Sequence, residues 1–274
     1  MGYPGDEGIV PRFCRELFAR IEHVAAVQED WEERAADALA AGEAPPPEAA
    51  ENLVVRVSCS MLEIYNGRVR DLFALKKKKG GGDVKADTGG LKVRMDPIKG
   101  PYAEGLTQKV CRSYANVDAL MQRGLKARTM AATAMNETSS RAHTMFQLLI
   151  TQAREDPARR GQKSYKASVV SLIDLAGSER QSKTEATGDR LKEATHINGS
   201  LSALGNVINA LAEKSMKPDD PKVQAKLVPY RASTLTYLLQ NSLGGDSYTI
   251  MIAAIAPGSV NYEETLSTLR YVSS

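Results

Sequence analysis

Two strongly apolar runs that carry β-branched residues, 144–152 and 167–175, constrain this chain more than any other feature. A strand that is apolar on both faces must be covered on both faces, so each run is expected to lie centrally in a sheet. Stretches with helical spacing surround them. Ile9, Phe13, Leu17, Ile21 and Val24 mark a helix over 9–27, with Pro11 near its start, where a missing N–H is tolerated. Ser113 is placed to cap a helix running to about 128, with Val117, Leu120 and Met121 on one face. A long helix is expected over 190–213, carrying Leu191, Ala194, Ile197, Leu201, Leu204, Ile208 and Leu211. Another is expected over 233–243, stopped by Gly244-Gly245, and a last one over 262–272. Further strands are expected at 53–65, 91–95, 107–112 and 248–256. This interleaving, with no internal repeat, predicts an α/β domain on a large central mixed β-sheet flanked by helices on both faces.

Composition excludes several classes. The 274 residues can bury a real core, and 42% hydrophobic with 25% charged residues is ordinary for a globular protein. A net charge of +3 is too mild to imply nucleic acid, so an acidic partner must be met by a local patch. No stretch approaches the roughly 20 apolar residues that cross a bilayer. Residues 1–10 contain Asp6 and Glu7 and no apolar run, unlike a signal peptide. Cys14, Cys59 and Cys111 are odd in number and far apart in sequence, which fits reduced core thiols in a cytosolic protein better than a zinc or disulfide framework. The acidic, alanine-rich stretch 28–51 contains Pro45-Pro46-Pro47 and reads as a surface insertion with room for a short helix. Lys76-Lys77-Lys78-Lys79 followed by Gly80-Gly81-Gly82 reads as a solvated loop over 76–90, or more sharply as a basic contact for an acidic partner.

Two segments carry chemistry. Asp174-Leu175-Ala176-Gly177-Ser178-Glu179-Arg180 follows the second apolar run. An acid at the C-terminal end of a buried strand can hold a magnesium hydration shell. A glycine close behind lets a backbone N–H approach a phosphate. Alone, this pattern is better explained by a strand-end turn. Asn136-Glu137-Thr138-Ser139-Ser140-Arg141-Ala142-His143 leads into the first apolar run. Its hydroxyls suit magnesium and a water at a phosphate, though taken singly a capped polar turn explains it better. His143 and His196 read as structural, since no second ligand accompanies either.

In this order and spacing the two segments resemble the kinesin motor family. The earlier one is similar to its switch I and the later one to its switch II. The runs 190–211, 227–236 and 261–271 resemble the switch II helix, the loop and helix after it, and the last helix of the motor core. Gly100-Pro101-Tyr102, the run 126–133 and Met1-Gly2-Tyr3 look like the class-three, vesicle-transporting branch. The resemblance implies a microtubule-stimulated ATPase in the cytoplasm, associated with the microtubule cytoskeleton. ATP and Mg2+ are the implied cofactors and microtubules (tubulin) the partner, with no nucleic acid, no membrane contact by this domain and the cargo open.

By the same resemblance, Ser139 and Ser140 face magnesium and the γ-phosphate, and Asp174 stands behind the metal's water shell. Gly177 senses the γ-phosphate, Asn136 positions switch I or water, and Arg141 pairs with Glu179 to close the site. Lys183, Arg190, Lys192, Lys226, Tyr230 and Arg231 form the filament face. Ala142, Ala232 and Tyr248 depart from the family's usual serine, aspartate and lysine. The family's phosphate loop, G-x-x-x-x-G-K-S/T, does not occur in these residues. Its expected place is immediately before Met1, so the chain reads as a partial motor domain lacking the first strands and that loop. The alternative is a non-catalytic microtubule-binding or regulatory module.

Overall fold

The computed structural model describes residues 2–3, 6–44, 53–74, 90–134, 141–155, 162–177 and 189–272. In chain order the elements are β1 (Gly2–Tyr3), β2 (Asp6–Glu7), α1 (Ile9–Ala40), β3 (Leu53–Tyr65), β4 (Arg68–Asp71), β5 (Val93–Asp96), β6 (Gly100–Ala103), β7 (Lys109–Cys111), α2 (Tyr114–Ala134), β8 (His143–Glu155) and β9 (Lys163–Asp174). They continue with α3 (Asp189–Met216), α4 (Pro221–Gln224), α5 (Thr234–Leu238), α6 (Gln240–Gly244) and α7 (Tyr262–Val272). The alternation of strands and helices is that of an α/β domain. Five strands form the main sheet, in the order β4-β3-β8-β9, with β7 also paired to β3. The chain packs as two units: residues 1–61, 107–126 and 145–172, and residues 62–106, 127–144 and 173–274.

The first unit is built where the apolar periodicities point inward. Cys14 and Phe18 of α1, Val57, Cys59 and Met61 of β3, Val117 and Met121 of α2, and Phe146 and Leu148 of β8 are all buried. The three cysteines are free and buried, as core thiols, with the Cys59 and Cys111 sulfurs 3.3 Å apart. The Ser113 hydroxyl accepts from the Asn116 N–H at 3.3 Å, placing the expected cap before α2. One expectation is corrected here. α1 does not end near residue 27 but runs unbroken to Ala40, because 28–40 contains neither proline nor glycine. Arg20–Glu16 and Arg34–Asp30 pairs brace its exposed side. It ends at Gly42, whose φ of 77° is the left-handed turn a glycine takes cheaply.

The second unit begins with a hairpin. Tyr65 pairs with Arg68 across a two-residue turn, Asn66-Gly67, with φ of 51° and 71°. Positive φ at both positions makes this the tight turn that Asn-Gly favours. The Gly67 carbonyl accepts from Thr234 Oγ1 at 2.8 Å, fastening the hairpin to the start of α5. α3 packs on α5, and Leu204, Val207, Val223, Leu235 and Leu239 are buried.

Three further expectations are corrected. The helix expected over 233–243 is two short helices, α5 and α6, separated at Leu239, where ψ is near 0°. β9 is longer than expected, ends the described strand order, and exposes its first seven residues. Residues 248–256 form no strand, and Tyr248, Ile250, Ile252 and Ile255 stand exposed. The physical reason is common to the last two. An apolar run becomes a buried strand only when a neighbour supplies a hydrogen-bonding ladder and cover, and among the described residues neither the outer edge of β9 nor 248–256 has one.

Candidate functional site

The site lies in the second unit, where β9 ends at Asp174 and the chain turns through Leu175-Ala176-Gly177. Asp174 keeps a carboxylate with 55% of its side chain exposed. Arg128 of α2 holds it, with Nη1 3.5 Å from Oδ2. The Arg128 guanidinium also faces Glu63 of β3, Nε to Oε1 at 3.8 Å, and Arg70 of β4 reaches the same carboxylate at 3.6 Å. Glu63 is 4% exposed. Burial pushes its pKa above the ordinary carboxylate value, while Arg70 and Arg128 pull it down. A chain of alternating charge, Arg70–Glu63–Arg128–Asp174, therefore fixes the acid at the strand end.

His143, at the start of β8, is 4% exposed and makes two hydrogen bonds. The Ala176 N–H donates to its Nδ1 at 3.0 Å, and its Nε2 lies 2.7 Å from Ser200 Oγ on α3. Burial pushes its pKa down to about 4, against a smaller upward pull from Asp174. The ring is thus neutral, and because Nδ1 accepts, Nε2 carries the proton and donates to Ser200.

A pocket of about 370 Å³ opens beside this bridge. Arg141, His143, Ser200, Arg231, Ser233 and Thr234 are on its wall, with Ala232 where the family resemblance expects an aspartate. Ser233 and Thr236 form a capping box that starts α5, and the Thr236 hydroxyl donates to the Tyr230 carbonyl at 2.7 Å. Arg231 lies over the Tyr237 ring, 5.3 Å from its centroid. Tyr230 is half-buried, and a Cβ at Gly244 would strike its hydroxyl. Its hydroxyl therefore packs against the backbone at Gly244. Lys226 is exposed and paired with Glu213 at 3.0 Å. The loop that carries it is clamped to the end of α3 by Lys214 Nζ donating to the Gln224 carbonyl and Gln224 Nε2 donating to the Lys214 and Lys217 carbonyls.

Of the residues singled out in the sequence, Arg141, Asp174, Gly177, Lys226, Tyr230 and Arg231 are placed, all in this unit. Arg190 and Lys192 fall within α3. Asn136, Ser139, Ser140, Glu179 and Lys183 lie outside the described residues. Sequence reasoning missed Glu63, Arg128 and Ser200. Glu63 left one signal: a carboxylate set in the otherwise apolar run Met61-Leu62-Glu63-Ile64.

An α/β sheet that ends a strand in an acid–glycine loop, and ties that loop to a long helix, has the build of a switch-type domain. The particular family follows from comparison. The kinesin motor domain model matches residues 1–274, and the chain belongs to that family. It is 46% identical to kinesin-related protein 1 of Dictyostelium discoideum over 274 residues, covering all of this chain and 11% of that protein. It is 44% identical to the kinesin-like protein KIF1A of Rattus norvegicus over 267 residues, covering 97% of this chain and 14% of that one. KIF1A, KIF13A and KIF16B among its relatives are class-three kinesins. Among solved structures it superposes on a KIF14 dimer in complex with a microtubule and AMP-PNP. The TM-score is 0.73 at 38% identity, over 97% of this chain and 64% of that one. A fast kinesin superposes with a TM-score of 0.71, also at 38% identity, over 98% of this chain and 62% of that chain. The chain thus spans less than two thirds of each of these relatives.

Proposed function

We propose that this chain is part of an ATP-driven microtubule motor, coupling ATP hydrolysis to movement along microtubules. The observation that carries the reading is the match of the whole chain to one motor family, with the acid–glycine loop at the end of β9. Solved relatives described with AMP-PNP or ADP on a microtubule support it. Nothing in the geometry favours the non-catalytic module instead.

The groups present fit the implied nucleotide and metal. Asp174 offers the oxygen chemistry that a hydrated Mg2+ prefers, and Gly177 presents backbone without a side chain. When bound, Mg2+ neutralises charge on the phosphates of ATP. Arg128 orients the Asp174 carboxylate. Ser139 and Ser140 supply hydroxyls, and Asn136 positions water. Arg141 and Glu179 close the site, so in a motor domain that includes the phosphate loop Glu179→Ala is expected to slow hydrolysis sharply while leaving thermal stability and ATP affinity nearly unchanged. Lys183, Arg190, Lys192, Lys226 and Arg231 meet the acidic filament surface, with Tyr230 holding their loop. The protein accordingly works on the cytoskeleton, in the cytoplasm.

The test is co-sedimentation of the chain with microtubules, alongside phosphate release. Salt-sensitive pelleting is expected, and failure to pellet at low salt overturns the reading. Phosphate release from these 274 residues alone is expected to be at least roughly a thousandfold below a motor's, because the G-x-x-x-x-G-K-S/T loop is not among them.

A further inference from the structure

We propose that His143 is a positioning residue that makes the acid–glycine loop and the long helix α3 move as one. The inference deepens the motor reading and rests on it for its functional consequence; its structural half stands alone.

Three observations carry it. First, one buried ring holds two elements that are distant in sequence. Its Nδ1 accepts the N–H of Ala176, the residue beside Gly177, and its Nε2–H donates to Ser200 on α3. Second, the ring is buried at the edge of the pocket. His143 is 4% exposed and Ala176 5% exposed, so breaking either bond leaves a buried polar group unpaired. Third, the bridge has a direction. An imidazole accepts on one nitrogen only when it donates from the other, so the Ala176 bond and the Ser200 bond require the same neutral tautomer. A displacement of Gly177 and Ala176 therefore pulls on Ser200 through a rigid five-membered ring, without a flexible side chain between them.

Hydrogen exchange tests the structural half on the full chain. Ser200→Ala does not touch Ala176, yet it frees the ring that holds the Ala176 N–H. Exchange at that amide is expected to rise roughly fivefold, the worth of one ordinary hydrogen bond. His143→Asn is expected to raise exchange at Ala176 to a similar degree, because an asparagine oxygen can stand where Nδ1 stands but has lost the Ser200 bond that holds it. Unchanged exchange at Ala176 in Ser200→Ala overturns the proposal. The functional half is read, in a motor domain completed with a G-x-x-x-x-G-K-S/T loop, as the ratio of microtubule affinities with an ATP analogue and with ADP. Both Ser200→Ala and His143→Asn are expected to shrink that ratio several-fold with little change in nucleotide affinity. A parent chain whose affinity ignores nucleotide sinks the motor reading, and the bridge is then decided by exchange alone. A parent that responds, with both variants responding equally, sinks the coupling role.

Discussion

Among the described residues, Glu63 and His143 are the two titratable side chains that the second unit buries, and burial acts on them oppositely. For His143 the charged form is the one burial disfavours, so its pKa falls to about 4 from an ordinary value near 6.5. Between those values the unfolded chain binds a proton that the native chain refuses. Stability from this residue is therefore full above about pH 6.5 and is lost as pH falls toward 4. By pH 5 the loss is about 2 kcal/mol. Urea midpoints of the parent and His143→Gln at pH 7 and pH 5 check this: the parent should lose more between the two. Glu63 is raised in the fold and so titrates in the opposite sense, but it is common to both proteins and drops out of the comparison. Arg128 keeps Glu63 and Asp174 compensated. Arg128→Met is expected to cost about 2–3 kcal/mol, with Arg70 left to hold Glu63. Adding Glu63→Gln should recover about 1 kcal/mol of it, a coupling visible in a double-mutant cycle.

Among the elements, those with their own local reasons were the ones the sequence foretold. β3 runs from Leu53 to Tyr65 as expected, because its apolar residues and the turn after it are all local. The Asn66-Gly67 turn was equally legible and went unused, so β4 was missed. β6 was missed because Gly100-Pro101 does not look like a strand. It becomes one by pairing with β5 across a turn in which the Asp96 carboxylate accepts from the Ile98 and Lys99 N–H groups. α5 is five residues long and cannot stand by propensity. Its capping box and the burial of Leu235 and Thr236 hold it. Ser233→Ala is expected to cost about 1 kcal/mol of stability in urea unfolding.

Over the whole molecule the net charge is only +3, so the proposed filament binding must depend on where charge is gathered. Lys226→Ala with Arg231→Ala is expected to weaken microtubule co-sedimentation and flatten its salt dependence, since exposed charges are screened within about 8 Å at physiological ionic strength. Affinity unchanged at both low and high salt would remove these residues from the filament face. The effect of Lys226 is tempered by Glu213, whose carboxylate it already meets.

The α/β class, the long helix and the family followed from the sequence by itself, because periodicity and the order of motifs are properties of the chain alone. Only the tertiary structure decided which strands are covered, as the exposed 248–256 segment shows, since cover comes from neighbours distant in sequence. It alone brought Glu63 to Arg128, and Ala176 and Ser200 to the two nitrogens of His143. Those residues are 65, 33 and 57 positions apart in the chain. No local pattern encodes such a meeting, and burial is what gives it force, because a buried polar group that loses its partner is costly.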